Sequence, residues 1–247
     1  MSYLIVGASS GLGRDLAYTF AEQKNNLILV SRDEKDLIAT KSDIEIRYKT
    51  NVKILSIDFS SFDDINSKLF SDEKMFQNLK GVLFPIGHMF ENDNVDLNIE
   101  NIQSIMFSNY LSTVYTISKL KKNLILNEDS AIVGFGSVSS LIGRKVNSNY
   151  AASKRALESY FESLAFEHIE NKINVQYYML GYLDTNLSFG QDLKLPKGST
   201  KKLSRIVFKN INAKFKKIYY PSFWIFITFI LKVIPFSILL KLNKFFK

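Results

Sequence analysis

The sequence predicts an α/β fold, a doubly wound parallel sheet within a single domain that carries helices on both faces. Three observations predict it. Short apolar runs alternate with helical patterns, a glycine-rich turn follows the first run, and 247 residues can bury a sizeable core. The chain has no internal repeat and no low-complexity linker that would divide it further.

The predicted strands and helices follow one another in strict alternation. Runs rich in Val, Ile and Leu that are short enough for buried strands lie at residues 2–6, 26–31, 52–57, 79–84, 130–136 and 173–180. Helical patterns fill the intervening segments, at residues 11–23, 33–48, 61–71, 98–127 and 149–170. Because a helix follows each strand, the strands are expected to be parallel.

A glycine-rich turn joins the first predicted strand to the first predicted helix. In Gly7-Ala8-Ser9-Ser10-Gly11-Leu12-Gly13, Gly7 permits a tight turn, Gly11 admits a pyrophosphate and Gly13 allows the helix to pack closely on the strand. N–H groups at the helix N-terminus face the phosphates. An ordinary βα turn is the alternative. The pattern predicts a Rossmann-like dinucleotide cradle formed by Gly7, Ser9, Ser10, Gly11, Leu12 and Gly13.

Two side chains further along are spaced for acid–base chemistry. Tyr150 and Lys154 lie four residues apart, so a helix places phenol and ammonium on one face. A nearby cation favours the phenolate, so we expect Lys154 to lower the pKa of Tyr150 from its ordinary value of about 10. Ser137 ends the fifth strand-like run, at the sheet edge where α/β folds bind ligands. A surface helical pair is the alternative for Tyr150 and Lys154, but together with Ser137 they indicate redox chemistry on a carbonyl or alcohol.

With the glycine turn upstream, this arrangement resembles the classical short-chain dehydrogenase/reductase family over about residues 1–190. The resemblance implies that Ser137 polarises the substrate carbonyl and that Tyr150 is the general acid/base. It further implies that Lys154 binds the nicotinamide ribose and lowers the tyrosine pKa. Asn109 matches the family asparagine that holds a water in a proton relay, so the four residues form the expected catalytic set.

The resemblance also implies further cofactor contacts. Asp58 matches the aspartate that contacts the adenine, and Thr185 matches the threonine that contacts the nicotinamide carboxamide. Gly87 matches the glycine that closes the motif after the fourth strand, and it is expected at the cofactor together with Tyr150 and Lys154. Phe84-Pro85-Ile86 replaces the two asparagines and alanine of that motif, which removes side-chain amides that ordinarily tie the central sheet together.

The end of the second strand indicates which dinucleotide binds. No carboxylate ends residues 26–31 to accept a hydrogen bond from the ribose 2′-hydroxyl, and Arg32 follows instead. An arginine binds a 2′-phosphate strongly, so NADP(H) is expected over NAD(H). A solvated surface arginine is the alternative. The neighbouring Asp33 is expected to cap the next helix.

Charge and hydrophobicity set the C-terminal part of the chain apart. The formal net charge is +8, but residues 194–247 contain thirteen Lys or Arg and no Asp or Glu, which leaves 19 basic against 24 acidic residues, or −5, before them. The same part is apolar from Phe223 to Leu231 and again near its end. We expect an NADP-binding catalytic domain at 1–193, a basic substrate loop or linker at 194–217 and a hydrophobic, basic helical segment at 218–247.

Three interpretations of residues 218–247 remain open. A transmembrane span is disfavoured because Lys232 and Pro235 would lie near its centre. A segment that lies in the headgroup region of an anionic membrane is favoured, since apolar groups alternate with lysines. Packing against the domain or a second subunit is the third, and a homo-oligomer is expected. Nucleic-acid binding is not expected, because the tail is mainly hydrophobic.

Composition narrows the remaining possibilities. The chain has no cysteine, which excludes disulfides and thiolate metal sites, and no His/Asp/Glu cluster has metal-ligand spacing, so no metal site is expected. The first strand begins at residue 2 or 3 and leaves no space for a signal peptide. We therefore expect a cytoplasmic protein, peripheral on the cytoplasmic face of a membrane.

The favoured function is NADP(H)-dependent reduction of a keto group, or oxidation of the alcohol, on a lipid or lipid-linked substrate at a membrane surface. One alternative is a soluble cytosolic reductase of a small or sugar-nucleotide carbonyl, whose C-terminal segment forms a subunit interface. A non-catalytic NADP-sensing scaffold on the same fold is the other, and the complete catalytic set argues against it.

Overall fold

The computed structural model describes residues 1–127, 129–168, 173–185 and 195–241, and within them the strands form one sheet. The strands are β1 Ser2–Val6, β2 Asn26–Ser31, β3 Val52–Ser56, β4 Leu79–Phe84, β5 Ser130–Ser137, β6 Ile173–Leu180 and β7 Lys216–Tyr220. Their spatial order is β3-β2-β1-β4-β5-β6-β7, and every neighbouring pair is parallel. The predicted doubly wound fold is confirmed, and its strand order reverses between β1 and β4.

Helices cover both faces of this sheet. They are α1 Gly11–Glu22, α2 Glu34–Tyr48, α3 Phe62–Asp64, α4 Ile99–Met106, α5 Ser112–Ile125, α6 Ser148–Glu167, α7 Thr200–Asn210, α8 Trp224–Val233 and α9 Phe236–Lys241. One-turn π-helical segments, Ile65–Leu69 and Phe107–Leu111, follow α3 and join α4 to α5. The single helix expected at 98–127 is therefore interrupted by a π turn, and the expected end of α6 at residue 170 lies outside the described residues.

Alternation along the strands divides the core between the two faces. In β1, Leu4 and Val6 pack into one apolar cluster, whereas Tyr3 and Ile5 pack into the other. This follows from the two-residue period of a strand, which directs successive side chains to opposite faces. The first cluster lies beneath α5 and α6, and the second lies beneath α1, α2 and α7.

The sequence patterns indicated six strands, and the structure adds β7. This strand pairs with β6 from Gln176 opposite Lys216 to Leu180 opposite Tyr220. Its first two residues are lysines, so its sequence is typical of a polar connection. Lysines on an edge strand also discourage pairing with another chain. The expected basic loop or linker at 194–217 thus contains α7 and the start of a strand of the sheet.

The segment after β7 presents an apolar face to solvent. Trp224 and Thr228 of α8 are buried against the domain, while Phe226, Phe229 and Val233 on the opposite side are 74%, 70% and 66% exposed. Within the described residues, no helix is both long and apolar enough to cross a membrane. We refer to Ile225, Phe226, Phe229, Ile230 and Val233 as the exposed face of α8.

Candidate active site

A cleft of about 580 Å³ opens at the carboxyl edge of the sheet. It lies at the ends of β1 and β4, where the strand order reverses, which is the position at which open α/β sheets bind ligands. Of the residues predicted from the sequence, it is lined by Gly7, Ser9, Ser10, Gly11, Leu12, Arg32, Asp58, Gly87, Ser137, Tyr150, Lys154 and Thr185. Gly13 and Asn109 lie behind its walls. The structure therefore brings twelve of the fourteen residues to one surface and places two in support.

The glycine turn has the backbone that only glycine adopts easily. Gly7 has φ +88° and Gly11 has φ +48°. A Cβ on Gly13 would lie 2.0 Å from the carbonyl oxygen of Gly7, so any side chain there would force α1 away from the turn. Ser10 is the N-cap residue of α1, and its side chain makes no cap hydrogen bond. The N–H groups of the first helical turn therefore remain available for a bound anion.

The adenosine end of the cleft is built from the ends of β2 and β3. Ser31 donates its hydroxyl to Ser9 Oγ at 2.8 Å, which ties the end of β2 to the glycine turn. Arg32 follows at the surface and lines the cleft. Asp58 Oδ1 accepts from the backbone N–H and hydroxyl of Ser60 at 2.8 and 2.7 Å, which fixes this carboxylate at the rim.

At the other end, the serine, tyrosine and lysine converge. Ser137 is the last residue of β5, and Tyr150 is the third residue of α6, with Lys154 one turn later. The Ser137 and Tyr150 side chains line the same part of the cleft, close enough for Ser137 to affect the pKa of the phenol, and Lys154 Nζ lies 5.8 Å from the Tyr150 ring centroid. Lys154 donates to the carbonyl oxygens of Ile86 at 2.8 Å and Phe135 at 3.1 Å, so its amine bridges the segments that follow β4 and end β5.

Burial dominates the acid–base properties of this pair. Desolvation raises the pKa of Tyr150 to about 12, although the nearby Ser137 hydroxyl lowers it in part. Desolvation also lowers the pKa of Lys154 to about 7. The expected net lowering of the tyrosine pKa is not found, because burial of the phenol raises that pKa. The phenol therefore carries its proton at neutral pH.

Asn109 lies in the π-helical segment between α4 and α5 and is fully buried. Its Oδ1 accepts the His88 N–H at 2.8 Å, and its Nδ2 donates to the His88 carbonyl at 2.8 Å and to Ser153 Oγ at 3.0 Å. These bonds join the segment after β4 to α6. They supply an amide link that Phe84-Pro85-Ile86 does not, and the water-holding role expected for Asn109 stays a prediction.

The substrate half of the cleft was largely missed from the sequence. Its walls include Met89 and Phe90 after β4, Arg144 before α6, and Tyr182 after β6. Arg144 could have been predicted from the sequence, because it lies between Ser137 and Tyr150. Both of these residues were expected at the cleft, so the short segment between them must lie near it. The apolar residues carried no local pattern that marks a binding site.

The lining residues fit a nicotinamide dinucleotide. A glycine turn with free helix N–H groups suits a pyrophosphate, and Arg32 lies at the adenosine end. Thr185 closes over the turn, since a Cβ on Gly11 would lie 3.3 Å from its methyl group. In its protonated form Lys154 has three N–H donors and uses two on carbonyl oxygens, so the third is available for a ribose hydroxyl.

Solved structures share this fold. A short-chain dehydrogenase from Sphingobium yanoikuyae in complex with NADPH has a TM-score of 0.79 at 22% identity, over 89% of this chain and 87% of that one. A short chain dehydrogenase from Burkholderia cenocepacia J2315 in complex with NADP has a TM-score of 0.78 at 18% identity, over 88% and 95%.

Sequence comparison gives the family. An uncharacterized oxidoreductase of Staphylococcus epidermidis is 26% identical over 200 residues, 81% of this chain and 84% of the relative. A very-long-chain 3-oxoacyl-CoA reductase of Kluyveromyces lactis is 30% identical over 195 residues, 74% of this chain but only 55% of the relative. The family profile described as short chain dehydrogenase matches residues 2–193, which span both the glycine turn and the serine, tyrosine and lysine of the cleft. The chain is therefore an oxidoreductase that belongs to the short-chain dehydrogenase/reductase family.

Proposed function

We propose that this protein is an NADP(H)-dependent enzyme that reduces a keto group, or oxidises the alcohol, on a lipid or lipid-linked substrate at a membrane surface. The observation that carries the reaction type is the convergence of Ser137 and Tyr150 in one cleft, beside the buried amine of Lys154.

The proposed roles of the side chains are those that the family resemblance implies, and their positions in the cleft support them. The glycine turn, Arg32 and Lys154 would hold NADPH, which would supply hydride to the carbonyl carbon. Ser137 donates a hydrogen bond to the carbonyl oxygen, and Tyr150 gives its proton to that oxygen as negative charge develops. Lys154 binds the ribose of the cofactor. After the reaction, Tyr150 regains its proton through Lys154 and a water held by Asn109. With its pKa raised to about 12, Tyr150 carries at neutral pH the proton that reduction of a ketone requires.

The experiment that tests this reaction type replaces Tyr150 by phenylalanine. Tyr150→Phe is expected to retain NADPH binding, measured by calorimetry, and to lose at least 10²-fold in NADPH oxidation with a ketone. A variant that kept full turnover would contradict the proposal. If the protein bound NADPH but reduced no ketone, the non-catalytic sensing scaffold would be favoured instead.

The preference for NADP(H) is proposed from the end of β2. Arg32 lines the cleft there, whereas the neighbouring carboxylate of Asp33 accepts the Asp36 N–H at 3.0 Å and so caps α2, as expected. Arg32→Ala should weaken NADPH binding by tenfold or more and leave NADH binding nearly unchanged. Lys35→Ala, which removes an exposed charge on the same turn, is the control. Equal losses for both dinucleotides would argue against the assignment.

The membrane part of the proposal is supported by the C-terminal segment. Residues 194–247 hold thirteen basic and no acidic residues, and the exposed face of α8 is apolar. On the opposite side of α8, Trp224 packs on Tyr182 of the cleft, with ring centroids 5.9 Å apart. We propose that 1–193 is the catalytic domain, 194–217 contributes to the substrate side and 218–247 contacts the cytoplasmic face of a membrane.

Substitution, not truncation, tests this part, because a cut after residue 217 would pass through β7. Phe226→Ser with Phe229→Ser should abolish sedimentation with phosphatidylserine vesicles and reduce turnover of a long-chain ketone carried in them. Turnover of a short, water-soluble ketone should persist. Phe166→Ser, at a phenylalanine 79% exposed on α6, is the matched control. Unchanged lipid binding would refute the membrane contact, and loss of oligomers on gel filtration would favour a subunit interface.

A further inference from the structure

Asp93 lies in the segment between β4 and α4 and has only 1% of its surface exposed. Its carboxylate binds the start of α6, 57 residues away: Oδ2 accepts the Tyr150 N–H at 2.8 Å. Its Oδ1 accepts the Asn149 N–H at 3.0 Å and the Asn149 Nδ2 at 2.8 Å. Its own carbonyl oxygen accepts the Asn147 N–H at 2.6 Å. Its own N–H donates to the Phe90 carbonyl oxygen at 3.2 Å, so Asp93 joins its segment to the helix that carries the tyrosine and to the residue that precedes this helix.

The helix needs such a partner because it has no cap of its own. Asn147 stands at the N-cap position with φ +57°, in the left-handed region, and makes no side-chain cap bond. Asn149 and Tyr150 are the second and third residues of α6, and their N–H groups are those that a local cap serves. Asp93 serves both from a distant segment, and a carboxylate at this end also interacts favourably with the helix dipole.

The same contact holds a wall of the substrate half. The segment from Gly87 to Asp93 is anchored at its start, where the His88 backbone is bonded to Asn109, and at its end, where Asp93 binds α6. Met89 and Phe90 line the cleft between these two anchors. A shift at Asp93 would therefore move the tyrosine and the facing wall together.

We infer that Asp93 is a positioning residue, which sets the place of the Tyr150 hydroxyl relative to Ser137 by binding the tyrosine's own backbone N–H. The inference rests on the proposed function, since it concerns the proton donor of that reaction. Misplacing a catalytic group by about 1 Å can reduce turnover by about 10²-fold. Asp93→Ala removes all side-chain acceptors, whereas Asp93→Asn retains one carboxamide oxygen and turns an NH₂ toward an N–H.

The test pairs two measurements on the full chain, with Asp96→Asn, an exposed residue of the same segment, as the control. Amide hydrogen exchange resolved by NMR should show faster exchange at Asn149 and Tyr150 in Asp93→Ala, and less so in Asp93→Asn. With NADPH and a ketone, kcat should fall by about 10²-fold and about tenfold, respectively, while the Kd of NADPH stays within threefold. A larger loss of kcat in Asp93→Ala than in Asp93→Asn is expected only if the side-chain acceptors of residue 93 determine kcat.

The outcomes separate this inference from the proposed function. Unchanged exchange at Asn149 and Tyr150 overturns it, whether or not the protein reduces ketones. Faster exchange with unchanged kcat also overturns it, because Asp93 would then cap the helix without positioning the phenol. A wild-type protein with no ketone turnover refutes the proposed function, and with it the catalytic part of the inference, while the exchange data still test the cap. If Asp93→Ala does not fold, Asp93→Asn carries both measurements.

Discussion

Replacing Gly181 by alanine puts a methyl group into space that Trp224 occupies. A Cβ on Gly181 would lie 1.8 Å from Trp224 Nε1, 2.4 Å from Cδ1 and 2.6 Å from Cε2. Gly181 follows β6 directly and lines the cleft, whereas Trp224 opens α8. The substitution therefore acts at the junction between the candidate site and the C-terminal segment.

The magnitude follows from how the indole can respond. A small shift of a packed side chain costs about 1–3 kcal/mol of unfolding free energy, as other overpacked sites do. Trp224 is only 7% exposed. Complete displacement would expose roughly 150–250 Å² of aromatic surface, which at about 25 cal/mol per Å² is about 4–6 kcal/mol. We expect Gly181→Ala to lower the free energy of unfolding by about 1–3 kcal/mol. The cost of complete displacement, about 4–6 kcal/mol, is the upper bound.

The assay has a specific probe, because Trp224 is the only tryptophan in the chain. Urea unfolding followed by circular dichroism gives the free energy, and a red shift of the native emission reports exposure of the indole. Gly143→Ala is the control, since a Cβ there meets nothing within 4 Å and should change stability by less than about 1 kcal/mol. An unchanged emission maximum and an unchanged free energy in Gly181→Ala would refute the reasoning.

Three further predictions concern the cleft. Gly13→Ala, whose Cβ would lie 2.0 Å from the Gly7 carbonyl oxygen, should weaken NADPH binding at least tenfold by calorimetry, and retained affinity would contradict the account of the turn. Lys154→Met should flatten the pH dependence of the free energy of unfolding. The pKa of Lys154 is about 7 in the folded protein and about 10.5 in the unfolded chain, so between these pH values the folded wild type binds fewer protons than the unfolded chain. The wild type should therefore gain about 2 kcal/mol of stability from pH 7.5 to 9, measured by urea unfolding. Parallel curves for the two proteins would exclude this. Arg144→Ala should raise KM about tenfold for ketones that carry a carboxylate or phosphate and leave neutral ketones unaffected, and equal effects on both would remove Arg144 from substrate recognition.

Local patterns were enough to predict the sheet and the position of the cleft. The β1 and β2 runs were predicted at their observed residues, because buried parallel strands are continuous apolar runs. Strand β7 was not, since Lys216 and Lys217 hide it in a basic stretch. In the folded chain, Lys217 forms ion pairs with Glu158 and Glu162 of α6. The local sequence gives no sign of these pairs, because the glutamates lie more than 50 residues earlier.

Long-range contacts account for what could not be predicted at the site. Asp93 lies in an Asn-Asp-Asn stretch that is typical of a turn, and nothing local connects it with a helix 57 residues later. The tyrosine pKa was expected to fall because the sequence gives the spacing of Lys154. It does not give burial, nor the carbonyl oxygens of Ile86 and Phe135 that fix the amine.

The register of the last three strands has a consequence for substrate supply. Ser137, Leu180 and Tyr220 lie side by side at the ends of β5, β6 and β7, and α8 begins four residues later at the same edge. Moving an acyl chain from a bilayer into water costs about 0.8 kcal/mol per methylene, roughly 12 kcal/mol for a sixteen-carbon chain. If the exposed face of α8 lies in the bilayer, as proposed, a ketone held there would reach the rim without that transfer. Turnover should then follow the mole fraction of ketone in the membrane, and not its total concentration in the sample.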